Sequence, residues 1–87
     1  MRIILKMKLA DVPLFCRVVI RSFAKADPST TQRLKELGFF VGRSLECVRK
    51  LPWGGPQVFR VGDSVFSLER RLAELIEVEL SSVHHEL

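Results

Sequence analysis

Eighty-seven residues, 47% apolar and 28% charged, suit one small globular domain: too short for two separate cores and too apolar to stay disordered. The net charge of +4 and pI near 9.6 favour an acidic partner, an anionic membrane surface or nucleic acid, and are also of a size that solubility alone explains. Two widely separated cysteines exclude a disulfide framework or a Cys-x-x-Cys zinc site, and no apolar run suits a signal peptide or bilayer span, so a cytoplasmic protein with reduced thiols is expected.

Met1–Leu9 alternates apolar and basic residues and is a surplus segment that could pair with another chain, while Ala10-Asp11-Val12-Pro13 reads as a turn. Phe15–Arg21 is rich in β-branched residues and reads as a strand with Cys16, Val18 and Ile20 facing inward. Ser29-Thr30-Thr31-Gln32 has the spacing of a capping box and predicts a helix of about two turns, with Leu34 and Leu37 on one face. Gly38 stands where a helix closes in a left-handed conformation, and Gly42 opens a second strand, Ser44–Leu51. Pro52-Trp53-Gly54-Gly55-Pro56 is a turn by composition. Gln57–Val61 and Ser64–Leu68 form a hairpin around Gly62-Asp63, Leu68–Leu75 is a short helical segment, and Ile76–Leu80 alternates as a final strand. Ser81–Leu87 reads as a frayed tail. About five strands and one short docked helix, in so few residues, hide their edges best by closing. The expected fold is mainly β, a small SH3-like β-barrel, with a partly open OB-type barrel as the nearest rival.

Motifs of catalysis are missing from the sequence: it has no phosphate loop, dinucleotide fingerprint, zinc-protease motif or nucleophile elbow. The adjacent His84 and His85 could hold a metal only weakly from a tail, Cys16 and Cys47 suit core packing, and Glu74, Glu77, Glu79 and Glu86 suit a solvated face. No enzymatic activity is expected. Trp53 is the conspicuous loop side chain, able either to close a barrel end or to stand out as a binding anchor. Arg33, Lys35, Arg43, Arg49 and Lys50 lie near it in sequence, so the partner face is expected to comprise Trp53, Gly54, Gly55, Arg49, Lys50 and Arg43.

The landmarks also fall in a recognisable order: Leu9-Ala10-Asp11-Val12, then Arg33-Leu34-x-x-Leu37-Gly38-Phe39 with Gly42 behind it, then Leu51-Pro52-x-Gly54-Gly55-Pro56, then Leu68 followed by Ala73-x-x-Ile76-x-Val78. This order resembles the FeoA family, the small ferrous iron transport protein A domains, within a single domain over 1–87 whose family-like core is about 9–80, with 81–87 as a tail. The resemblance implies an SH3-like barrel and a cytoplasmic accessory role in bacterial ferrous iron uptake. Its implied partner is the FeoB-type membrane permease with a cytosolic GTPase domain, and membrane association would come only through that partner. No catalytic residue, cofactor or metal ligand carries over, and the oligomeric state stays open. The chain departs from the family pattern at Leu14, where glycine is usual, at Val41, where proline is common, and at Glu69, where arginine is common. Two other functions remain: a metal-linked module, because similar domains end iron-dependent transcriptional regulators, and a small basic nucleic-acid-binding barrel, for which the aromatic–basic interleaving is poor.

Overall fold

The computed structural model describes residues 2–83, which form six antiparallel strands in one continuous sheet. In chain order they are β1 (Arg2–Lys8), β2 (Arg17–Ser22), β3 (Ser44–Lys50), β4 (Gln57–Val61), β5 (Ser64–Leu68) and β6 (Glu77–Val83). Their order across the sheet is β1-β6-β2-β3-β4-β5, so among the described residues β1 and β5 are the edges and no strand ladder closes the ring. A 3-10 turn (Leu9–Asp11), helix α1 (Pro28–Glu36) and helix α2 (Arg70–Ala73) complete the chain. The hairpin of β4 and β5 around Gly62-Asp63 matches the expectation from sequence.

Helix α1 is held at both ends by specific hydrogen bonds. The cap is Asp27 rather than Ser29: its carboxylate accepts from the Thr30 amide at 2.7 Å and from the Ser29 hydroxyl at 2.9 Å, with Pro28 opening the first turn. These donors hold the Asp27 carboxyl below its ordinary value near 3.8, the Thr30 amide contributing most. The expected Ser29–Gln32 box does not form, because the helix starts at Pro28, which places Ser29 inside the first turn and Asp27 at the cap. At the other end Gly38, at φ +104°, turns the chain so that its amide donates to Lys35 and the Phe39 amide to Leu34. That double bond is a Schellman closure, and its usual apolar contact is present, since Phe39 and Leu34 are both buried. Leu37, expected beside Leu34, is the exposed terminal residue of the helix instead.

Phe39 is the centre of the core, edge-on to Phe59 at 6.3 Å and to Phe66 at 5.8 Å. Around it lie Leu9, Val12, Val18, Ile20, Leu45, Cys47, Val61, Leu68, Ile76 and Val78; the strand members share one face of the sheet, since Val18 stands opposite Leu45, Ile20 opposite Val78 and Cys47 opposite Phe59. A two-turn helix has too few hydrogen bonds to persist alone, so burial of Leu34 and Phe39 is what fixes α1.

Three expectations are corrected. The N-terminal segment is a full strand that pairs with the chain's own β6 over Arg2↔Val83 to Lys8↔Glu77. The sheet therefore has six strands, not five. The last strand starts at Glu77 and continues to Val83, so 81–83 are ordered strand rather than tail; His84, His85 and Glu86 lie outside the described residues.

Candidate functional site

The segment 52–56 leaves β3 and returns into β4 through a turn tied by Leu51 N to Pro56 O and Gly55 N to Pro52 O, each 3.1 Å. Gly55 is favoured by space: a Cβ there would crowd Leu51 Cβ and the Pro52 carbonyl, each at 3.1 Å. The preceding residue pair, Trp53 and Gly54, both have positive φ, 58° and 69°. For a tryptophan that conformation is strained. The indole gains no burial in return, since Trp53 is 98% exposed. Of the two roles open to it, closing the barrel end is therefore excluded: it projects.

The structure separates the expected basic residues into two groups. Arg49 and Lys50 end β3 and stand exposed beside the loop. Arg43 precedes the other end of β3, roughly 23 Å away along the strand, where its guanidinium lies 5.3 Å over the Phe40 ring and against Gly62. Arg43 thus braces the α1–β3 connection on the β4–β5 turn, far from Trp53.

Sequence reading missed Arg70 and Arg71, which belong to an acidic stretch and carried no motif. The Gln57↔Leu68 pairing brings the start of α2 beside the Trp53 loop, and Gly54, Pro56, Glu69, Arg70 and Arg71 line a shallow depression of about 260 Å³. Glu69 and Arg71 form an exposed ion pair at 2.9 Å and also line the adjoining depression of about 270 Å³, whose far wall is Arg33, Leu34 and Leu37 of α1. The two depressions share Glu69 and Arg71, so the face runs from the loop that carries the projecting indole through Arg70 and Arg71 to Arg33, with Arg49 and Lys50 at the β3 end that enters the loop. Register with β3 also sets the loop before β2 at this end, where Phe15 N donates to Cys47 O at 2.8 Å and Phe15 is exposed with φ 65°. Such a surface suits association by an aromatic anchor inside a cationic rim.

Both cysteines are free thiols; Cys47 is buried in the core and Cys16 is half-buried. Burial pushes the Cys47 thiol above its ordinary value, against the smaller opposing effects of Arg49 and Lys50. Among the described residues no three His, Cys, Asp or Glu side chains come together as metal ligands, and no helix is long and apolar enough to cross a membrane. Another depression, about 530 Å³, lies elsewhere, where β1, β6 and β2 meet, and is lined by Lys6, Lys8, Arg21 and Lys25 together with Glu77 and Glu79.

A family model described as the FeoA domain matches residues 7–80. No curated protein matches the chain significantly. Among solved structures, the FeoA protein from Chlorobium tepidum is 30% identical with TM-score 0.77, over 85% of this chain and 70% of that one. FeoA of Stenotrophomonas maltophilia, in complex with zinc, is 33% identical with TM-score 0.69, over 83% of this chain and 88% of that one. That protein is described as a procaryotic SH3 domain protein and proposed as a ferrous iron transport activating factor. A manganese-dependent transcriptional repressor shares the fold alone, at 15% identity and TM-score 0.77, over 86% of this chain and 41% of that one.

Proposed function

This chain belongs to the FeoA family of SH3-like, ferrous-iron-transport proteins, and from that premise we propose that it is a cytoplasmic accessory protein that docks on the cytosolic GTPase part of a FeoB-type permease. The observation that supports docking is Trp53, almost wholly exposed on strained backbone beside Arg49, Lys50, Arg70 and Arg71. Strain of this kind persists only where the surrounding turn enforces it, and it lowers the cost of presenting a rigid aromatic to a partner. The cationic rim steers an acidic partner surface toward the indole. The domain acts by binding, with no catalytic group of its own, and reaches the membrane through the permease.

Titration of the full chain against the purified cytosolic domain of such a permease, by calorimetry, tests the reading. Wild type is expected to bind. Trp53→Ala and the double reversal Arg49→Glu with Lys50→Glu are expected to bind at least tenfold more weakly, a loss typical of an anchor residue. Wild-type affinity in both variants would remove this face from the interaction.

A further inference from the structure

Cys16 and Cys47 are distant in sequence and neighbours in the fold. Strands β2 and β3 pair antiparallel over Arg17↔Glu46, Val18↔Leu45 and Val19↔Ser44, and one more step of that register sets Cys16 opposite Cys47. The backbone repeats the juxtaposition on the other side of Cys16, where the Phe15 amide donates to the Cys47 carbonyl at 2.8 Å. Cys16 is thus bracketed by two residues that both lie against Glu46 and Cys47 of β3. Residues opposite each other in an antiparallel pair have Cα atoms roughly 4.5–5.5 Å apart, within the roughly 4.4–6.8 Å that a disulfide spans.

The side chains agree with the backbone. Val18 and Leu45 are an opposed pair, both buried, and side chains two residues along a strand return to the same face. That alternation carries Cys16 and Cys47 onto the core face together. Cys47 belongs to the buried core cluster, and Cys16 packs against the cluster while half-buried. The two thiols therefore differ in access: a reagent meets Cys16 from outside, whereas fully buried Cys47 is reached through Cys16. Cys47 is only weakly engaged, its Sγ–H donating to the Arg49 carbonyl at 3.5 Å where the β3–β4 register shifts.

We propose that Cys16 and Cys47 are a reversible thiol–disulfide site, closed by exchange with a low-molecular-weight disulfide such as oxidised glutathione. The Cys16 thiolate attacks one sulfur of that disulfide and expels a thiolate. Cys47 then loses its proton as it attacks the Cys16 sulfur, and the second small thiolate leaves. One S–S bond breaks as another forms, two electrons pass to the small disulfide, and the two cysteine protons end on its two thiol products. The bridge joins β2 to β3 and replaces the Cys47 bond to Arg49, beside the β3 end that enters the Trp53 loop. Excess reduced glutathione reopens it, so the site follows the ratio of the two forms.

Equilibration of the folded full chain in mixtures of reduced and oxidised glutathione, read by acid quenching and mass spectrometry, tests this. Wild type is expected to lose two hydrogen atoms and both free thiols within one chain, and to recover them in excess reduced glutathione. Closure is expected at a share of oxidised glutathione at least about tenfold lower than the urea-unfolded chain requires, because the fold supplies the proximity. Cys47→Ala should stop at a Cys16–glutathione adduct, and Cys16→Ser, a change at a half-buried position, should leave Cys47 unmodified. Folded wild type that halts at the Cys16 adduct, or that closes no more readily than in urea, overturns the proposal. So does a bridge formed between chains instead of within one. Each readout is independent of permease binding, which is read at Trp53.

Discussion

The side-chain amide of Gln57 donates to the carbonyl of Ala10 at 2.8 Å, a buried bond between residues 47 apart in sequence. It ties the first residue of β4 to the 3-10 turn and so joins the middle of the chain to its beginning. The Ala10 carbonyl has no access to water there, so losing its donor leaves it unpaired. Gln57→Leu, which keeps the volume, is expected to cost about 1–3 kcal/mol in urea unfolding. Gln57→Ala adds a cavity and is expected to cost more, about 2–5 kcal/mol in all. A Leu variant as stable as wild type would show that removing the buried, unpartnered Gln57 Oε1 offsets the lost bond in full.

The cap of α1 gives a pH-dependent test. Asp27 has a lowered carboxyl pKa in the fold, so its stabilising effect is present above the unfolded value near 3.8 and is lost as pH falls through the lower folded one. Asp27→Ala should therefore melt below wild type at pH 7, and the gap should narrow below pH 4. Ser29→Ala should change melting much less, because Ser29 donates to Asp27 and caps no backbone amide itself. Equal losses in the two variants would restore Ser29 as the cap.

Cys47 gives the opposite sign. Burial raises its thiol pKa, so its contribution is fully present below the unfolded value near 9.0 and is lost as pH rises through the raised folded value. Wild type should lose stability between pH 8 and pH 10 faster than Cys47→Val, measured by urea midpoints. In the native protein a thiol reagent should label half-buried Cys16 first, and Cys47 only as the core opens. Equal labelling rates would contradict the burial.

What the sequence could disclose was local. Gly38 and Phe39 announced the helix stop because a left-handed residue followed by a large apolar one is itself a local signal, and Gly62-Asp63 announced the hairpin for the same reason. β1 escaped because its partners lie 69 to 81 residues away and two of its apolar residues, Ile3 and Leu5, stay exposed outside the core. Leu37 was misplaced by one helical position because the Schellman closure hands its expected burial to Phe39. The site shows the same division. Trp53, Arg49 and Lys50 are neighbours in sequence, whereas Arg70 and Arg71 join them only through the Gln57↔Leu68 register, and Arg43 is carried away by the length of β3.

Trp53 separates a binding role from a structural one most directly. Its left-handed backbone opposes folding by about 1–2 kcal/mol, and its exposed indole returns little. Asparagine accepts that conformation more readily. Trp53→Asn is therefore expected to keep or raise the melting temperature, by up to about 4–8 °C for each kcal/mol relieved, while permease binding weakens at least tenfold. Gain in stability with loss of binding is the mark of a residue retained for its partner. A fall in melting temperature as large as that of Gln57→Ala would instead mean that the indole supports the turn, and the cationic rim of Arg49, Lys50 and Arg70 would then have to account for docking without an aromatic anchor.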